Sequence, residues 1–332
     1  MDIVYNIRQG KTSGFAAVYT KQKDLIQVKG HTGTHAYAEE EVAAFAEHLN
    51  IYLEGDADCA HLLPINPQGL DLARKIRDGI LLAKFINVAV KDTIDTRALN
   101  LRKGGKDISL FQINENQTLV IASAKAIGVK VTNVGAGELI EGEKFPHLVL
   151  GLIWQLVKIH LLNSINLKNH PELIRLLEDG ETLADLLKLP PDQLLLRWFN
   201  YHLRNAGHPK KVSNFSGDVK DSEAYTVLLS QIAPGTCDRN GLKSSNPTER
   251  ATAVLANAKK LEVRAPIKAR DIVSGNPRLN LIFTAAIFNQ VRKFIQIRNN
   301  TVVFNCSRFP LPLLTHLLLL LYVCLSLSVS WS

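Results

Sequence analysis

Three stretches of the chain hold residue types that perform chemistry in other settings. "QGKTSG" at 9–14 has the lysine, threonine and glycine of a loop that cradles phosphate with backbone N–H groups. That loop requires a glycine five places before Gly10, where Tyr5 stands, and no helical pattern follows. "VGAGELIEG" carries Gly135, Gly137 and Gly142, a spacing that does not match a dinucleotide fingerprint, and no long strand precedes it. "DADCAH" at 56–61 starts like a calcium loop, but Ala60 replaces a ligand and His61 replaces the glycine of the sharp turn. There is no HExxH and no GxSxG. The ten histidines never fall at ligand spacing with the four scattered cysteines, Cys59, Cys237, Cys306 and Cys324. The expectation is a protein without catalytic residues, cofactor or metal.

Bulk properties point the same way. A chain of 332 residues, 46% hydrophobic and 21% charged, suits two folded domains. The net charge of +8 is carried by the ends: residues 1–30 contribute +3 and residues 291–332 contribute +4, leaving about +1 for the middle. A nucleic-acid binder concentrates its basic charge on the folded module, so no nucleic-acid partner is expected. Unpaired cysteines and the lack of an apolar leader predict a reducing, cytoplasmic setting.

The elements that would position any functional surface are helices. Residues 1–35, rich in glycine, lysine and threonine, read as an extended lead-in. "AEEEVAAFAEHLNIYL" places Val42, Phe45, Ala46, Leu49 and Leu53 at helical spacing, with acids in the first turn where the helix dipole favours them. "DGILLAKFINVAV" follows, with a break at Gly79, then "ENQTLVIASAKAIG", closed by Gly128. "PHLVLGLIWQLVKIHLL" starts at Pro146 and is hydrophobic nearly all round, the mark of a helix surrounded by others.

The same order then recurs about 150 residues later, in "PDQLLLRWFNYHLRNAG", "DSEAYTVLLSQIAP", "NPTERATAVLANAKKLEV" and "NPRLNLIFTAAIFN". The approach to the last helix repeats most clearly: "ELIEGEKFPHLVLGLIW" against "DIVSGNPRLNLIFTA". The reading is all-α, with one bundle over 36–163, a second over 189–290, and a linker at 164–188. Leu173, Leu176, Leu177, Leu183, Leu186 and Leu187 predict that the linker packs as short helices rather than hanging free. Trp154 and Trp198 are expected in the two cores.

One helix raises a question. "LLLRWFNYHLRN" places Leu195, Trp198, Phe199 and His202 or Leu203 inward, yet Arg197, Tyr201 and Arg204 form a stripe along the other side. A solvated face is the ordinary fate of such residues; a surface read by a partner is the other.

In order along the chain, "EGDADCAHLLPINP", "DGILLAKFIN", "DTIDTRALN", "INENQTLVIASAKAIG", "PHLVLGLIWQLVKIHLL", "LLLRWFNYHLRNAG", "VSNFSGDVKDSEAYTVLLSQIAP" and "ARDIVSGNPRLNLIFTAAIFN" resemble the fimbrin/plastin family over residues 34–289. The resemblance implies calponin-homology domains paired into an actin-binding unit that docks on the side of a filament. It implies contacts on the first helix at Glu41, Phe45, His48 and Tyr52, and on the last helix of the first domain at Gln155, Lys158, Ile159 and Leu162. It implies further contacts on the opening helix of the second domain at Arg197, Tyr201 and Arg204. The family usually opens with calcium-binding helix–loop–helix units, and "KQKDLIQVKG" resembles the segment that follows them. It also usually carries a second pair, and bridging two filaments needs two sites. The expectation for this sequence is a monomer that binds filaments without bundling them.

Past Phe288 the family pattern stops. Residues 289–332 contain no Asp or Glu, and "LPLLTHLLLLLYVCLSLSVS" at 311–330 is about long enough to span a bilayer. Arg292, Lys293, Arg298 and Arg308 lie before it, as for a cytoplasmic domain with a tail anchor. A tail foreign to the native protein is the preferred reading. Two alternatives to filament binding are a helical scaffold or adaptor, and a membrane-tethered filament linker resting wholly on that tail.

Overall fold

The computed structural model describes residues 19–22, 25–30 and 33–306, with side chains from 39 to 291. Strands β1 (Tyr19–Gln22), β2 (Leu25–Gly30) and β3 (Gly33–Ala38) form an antiparallel sheet in the order β1-β2-β3. Leu25 pairs with Ala38 and Gly30 with Gly33. The lead-in is thus extended, as expected, but paired within itself. The alternation of Ile26 and Val28 with Gln27 and Lys29 supplies the period of two.

Beyond the sheet the fold is helical. The first bundle holds α1 (Glu39–Leu53), α2 (Asp71–Lys75), α3 (Ile80–Ala89), α4 (Leu110–Ala126), α5 (Ala136–Ile140) and α6 (Pro146–Leu162). The second holds α8 (Pro191–Asn205), α9 (Glu223–Ile232), α10 (Pro247–Lys260), α11 (Ala269–Ser274) and α12, which starts at Pro277. Helix α3 is the hub of the first core: Ile80, Leu81, Leu82, Phe85 and Ile86 are fully buried between α1, α4 and α6. In the second, α9 takes that place. The Tyr225 ring meets Phe199 of α8 at 5.5 Å and Phe283 of α12 at 5.1 Å, both edge-on.

The repeat read from the sequence is a repeat of contacts. Asn50 of α1 donates its amide to the Ile65 carbonyl at 2.9 Å and accepts from the Ile65 N–H at 2.7 Å. Asn200 of α8 grips Val212 in the same way, at 2.7 and 2.8 Å. In each bundle one side-chain amide closes the returning chain onto the first helix, satisfying a backbone donor and acceptor together. The repeated glycine serves differently in each. Gly275 ends α11 at φ 71°, a left-handed cap. Gly142 is instead a close approach, where a Cβ would lie 3.0 Å from the Ala73 carbonyl and 3.1 Å from Val149.

The linker packs, in part. A 3-10 turn (Pro171–Leu176) and α7 (Leu183–Lys188) bury Leu173, Leu176 and Leu186. Leu183 and Leu187, also expected inward, are exposed together with Ile174, because α7 is too short to bury more than one side. The described residues up to Ile287 fall in one compact unit. The second unit begins at Phe288, and its described part is helical to Cys306 as the continuation of α12 (Pro277–Cys306), across the boundary expected at 290. No helix among the described residues is long and apolar enough to cross a membrane. The 311–330 segment and the "QGKTSG" loop lie outside the described residues.

Candidate functional site

The side chains expected on the outer face of α1 are mostly inside. Glu41 is 8% exposed: its carboxylate accepts from Arg278 Nη1 at 2.7 Å and from Asn276 Nδ2 at 3.1 Å, both at the start of α12 in the second bundle. Phe45 is fully buried and stacks on Trp154 of α6 with centroids 6.0 Å apart. His48 is also buried, joined to His160 by a hydrogen bond of 3.1 Å between Nε2 and Nδ1. Burial pushes the His48 imidazole down to about 3, with the His160 charge acting in the same sense. Burial alone takes His160 to about 4. Of the four, Tyr52 reaches the surface, 37% exposed, with its ring 4.4 Å from that of His160.

Helix α6 divides similarly. Leu162 is buried in the first core rather than turned outward. Gln155 pins the chain after α4, accepting from the Lys130 N–H at 2.9 Å and donating to its carbonyl at 3.0 Å. Lys158 bridges to Asp192 of α8 at 3.2 Å, and Ile159 beside it is half-buried. Trp154, expected in the core, is half-buried instead: the Arg278 guanidinium sits 5.5 Å from its ring centroid. The indole is therefore held between Phe45 and a cation from the other domain.

The stripe on α8 is real but partly engaged. Arg197 forms a bidentate pair with Glu181 of the linker, at 2.5 and 2.7 Å. Tyr201 is half-buried, and exposed Arg204 lies 5.9 Å from its ring centroid. Trp198 is buried as expected, against His202, whose imidazole burial lowers to about 4. Matching the two helices on Asn50 and Asn200 sets Glu47 against Arg197 and Glu54 against Arg204. The outer face of the first helix is thus acidic in one domain and basic in the other.

Of the expected contact residues, Tyr52, Gln155, Lys158 and Ile159 in the first domain and Arg197, Tyr201 and Arg204 in the second remain exposed or half-buried. The Lys158–Asp192 pair ties α6 to the start of α8, and Arg204 lies twelve residues further on, about 18 Å along the helix. These side chains offer aromatic and aliphatic area with cations beside it, the materials of protein docking rather than of bond breaking. In the false calcium loop, a lysine sits where a cation would: Lys84 Nζ lies 2.5 Å from Asp58 and 3.3 Å from Asp56. No His, Cys, Asp and Glu group suited to a metal occurs among the described residues.

Sequence reasoning missed Arg278 and Asn276 as partners of Glu41. It also missed the true start of α4, at Leu110. The signal was present: Ser109 and Gln112 form a capping box, in which the Ser109 N–H donates to Gln112 Oε1 at 2.9 Å and Gln112 N–H returns to Ser109 Oγ at 3.3 Å.

Two bundles of this helix order, each clamped by an amide on its first helix and joined by a packed linker, define a tandem calponin-homology unit. The calponin homology (CH) domain model matches residues 40–161 and 189–293. The chain belongs to this family, in its fimbrin/plastin branch. It is similar to fimbrin of Saccharomyces cerevisiae, 49% identical over 81% of this chain and 42% of that protein. It is similar also to fimbrin of Dictyostelium discoideum, 49% identical over 83% and 45%, and to human plastin-3, 43% identical over 91% and 50%. The chain spans about half the length of these relatives or less. Among solved structures it resembles the actin-crosslinking core of Schizosaccharomyces pombe fimbrin, at 43% identity and a TM-score of 0.66, over 76% of this chain and 50% of that one.

Proposed function

We propose that the paired calponin-homology domains bind the side of actin filaments, as a structural, non-catalytic unit of the actin cytoskeleton. The observation that carries this reading is the ordered match of both domains to fimbrin, extending to a structure described as an actin-crosslinking core. The surface chemistry agrees: Tyr52, Ile159 and Tyr201 supply apolar area, while Lys158 and Arg204 supply cations that suit an acidic polymer. Glu41 and Trp154 join the contact when the two domains part, since Arg278 covers them in the arrangement described here.

High-speed sedimentation with actin filaments tests the reading. The 332-residue chain should appear in the pellet in a saturable manner. A Lys158→Glu/Arg204→Glu variant should bind about tenfold more weakly, because two rim cations become repulsive. Equal binding by the variant would remove this surface from the contact.

A further inference from the structure

The loop at 210–216 closes the clamp of the second domain and carries a pattern of its own. Lys210 and Lys211 are the only adjacent basic pair in the sequence followed two places later by a serine or threonine. That hydroxyl belongs to Ser213, which is exposed and whose Oγ has no hydrogen-bond partner among the described residues. Basic residues two and three places ahead of a free hydroxyl form a charge pattern that a kinase with an acidic peptide groove selects.

The repeat shows what is particular to this copy. The residue after each clamp donates its N–H to an aspartate five places on: Asn66 to Asp71 at 2.8 Å, and Ser213 to Asp218 at 2.7 Å. Asp71 is balanced by Lys75 at 3.3 Å. Asp218 has no ion-pair partner among the described residues. Its same oxygen instead gathers the Asn214 N–H at 3.2 Å and the Asn214 side-chain amide at 3.0 Å. The first domain places Leu63, Pro64 and Asn66 where the second has Lys210, Lys211 and Ser213. The second copy alone therefore carries an acceptor hydroxyl behind two cations, with an unbalanced carboxylate holding the acceptor's own backbone.

We infer that Ser213 is a phosphorylation site for a serine kinase that reads basic residues, and that phosphate there holds the clamp of the second domain open. In the transfer, Ser213 Oγ forms a bond to the γ-phosphorus of a nucleoside triphosphate as the bond from that phosphorus to the β,γ-bridging oxygen breaks. The nucleoside diphosphate leaves, and the hydroxyl proton passes to the carboxylate base of the kinase. Access is gated. Val212 is buried and gripped by Asn200, and Lys210 is bridged to Asp221 at 2.8 Å and to Glu223 at 2.5 Å. The kinase therefore takes the loop in a locally opened state, of the kind that fluctuations supply at exposed segments. Once attached, a group carrying about −1.5 to −2 charge stands beside the Asp218 carboxylate and repels it. It also draws Lys210 away from its two acids. Both effects oppose reclosure, and neither depends on filament binding.

The test incubates the full chain with ATP and, as the probe, the catalytic subunit of protein kinase A, and reads the modified positions by tandem mass spectrometry. Phosphate should appear on Ser213, and total uptake should fall by that one group in Ser213→Ala. Asn200→Ala and Asp218→Ala, each shown to be folded by circular dichroism, should be modified about tenfold faster, because the loop is open more of the time. Asn50→Ala frees the equivalent clamp in the other domain and should be modified at the rate of the parent. The phosphorylated chain should unfold at lower urea than the unmodified one. A parent chain that takes no phosphate on Ser213 overturns the inference. Equal rates in Asn200→Ala, Asp218→Ala and Asn50→Ala would overturn the gating, and an unchanged urea midpoint after modification would overturn the switch.

Discussion

Arg278 makes two contacts at once: its guanidinium donates to the Glu41 carboxylate at 2.7 Å and lies 5.5 Å from the ring centroid of Trp154. One side chain of the second domain thereby covers an acid and an aromatic of the first. Arg278→Glu would place two carboxylates together and uncover the indole. Trp154 emission should shift to longer wavelength, read against a Trp154→Phe reference. Filament affinity should rise about fivefold or more as Glu41 and Trp154 become available. Unchanged emission and unchanged affinity would contradict this role for Arg278.

The two asparagine clamps should be worth similar amounts in separate domains. Asn50→Ala frees the Ile65 N–H and carbonyl, and Asn200→Ala frees those of Val212. Each should cost about 2 kcal/mol, from two lost backbone partners at a part-buried site. Urea titration monitored by circular dichroism reads the cost. A loss below about 0.5 kcal/mol in either would show that water replaces the clamp there.

Buried hydroxyls give a third expectation. Tyr225 Oη lies 3.0 Å from Thr284 Oγ1 and 3.2 Å from the Asn280 carbonyl, with no access to water. Tyr225→Phe removes the shared partner while keeping the ring that packs on Phe199 and Phe283. Stability should fall by about 1–3 kcal/mol. Thr284→Val removes the other end of the same contact, so the two losses together should fall short of their sum, although the Thr284 hydroxyl also donates to the Asn280 carbonyl at 2.8 Å. Strictly additive losses would contradict the shared hydrogen bond.

Acid should weaken the fold before most carboxylates titrate. Burial holds His160 and His202 down to about 4, and burial with the neighbouring His160 charge holds His48 down to about 3, against an ordinary value of 6.5. Unfolding lets each take up a proton below about pH 6.5, so stability is complete above that value and falls as pH drops toward 4. Each histidine adds a slope of up to about 1.4 kcal/mol per pH unit within the window. Asp78 and Asp271, raised by burial, work in the opposite direction. His48→Phe/His160→Phe should flatten the slope between pH 6.5 and 5 in urea titrations. An unaltered slope would rule out this pair as its source.

Much of the helical order was legible because it is written in local signals. Prolines open α6, α8 and α10, Asn246 caps α10, and hydrophobic spacing marks the buried faces. Local signals also reveal the repeat. They say nothing of what covers a helix from 237 residues away, as Arg278 covers Glu41. Periodicity gave α1 an apolar side, but His48 and Glu41 are buried by specific polar partners, which no spacing encodes. Leu183 and Leu187 err the other way: an apolar i, i+4 pair looks like a packed face until the helix proves too short to bury it. The strands of the small sheet are only four to six residues long, too short for alternation alone to distinguish them from extended chain.

The central claim is that one surface across both domains seats on a filament, and electron cryomicroscopy of filaments decorated with the full chain tests it most directly. The expected result is density for both calponin-homology domains against the filament side, with α6 and α8 at the contact and Lys158 and Arg204 facing the polymer. Bare filaments at saturating protein, or density attached through the opposite face with those helices turned to solvent, would contradict it.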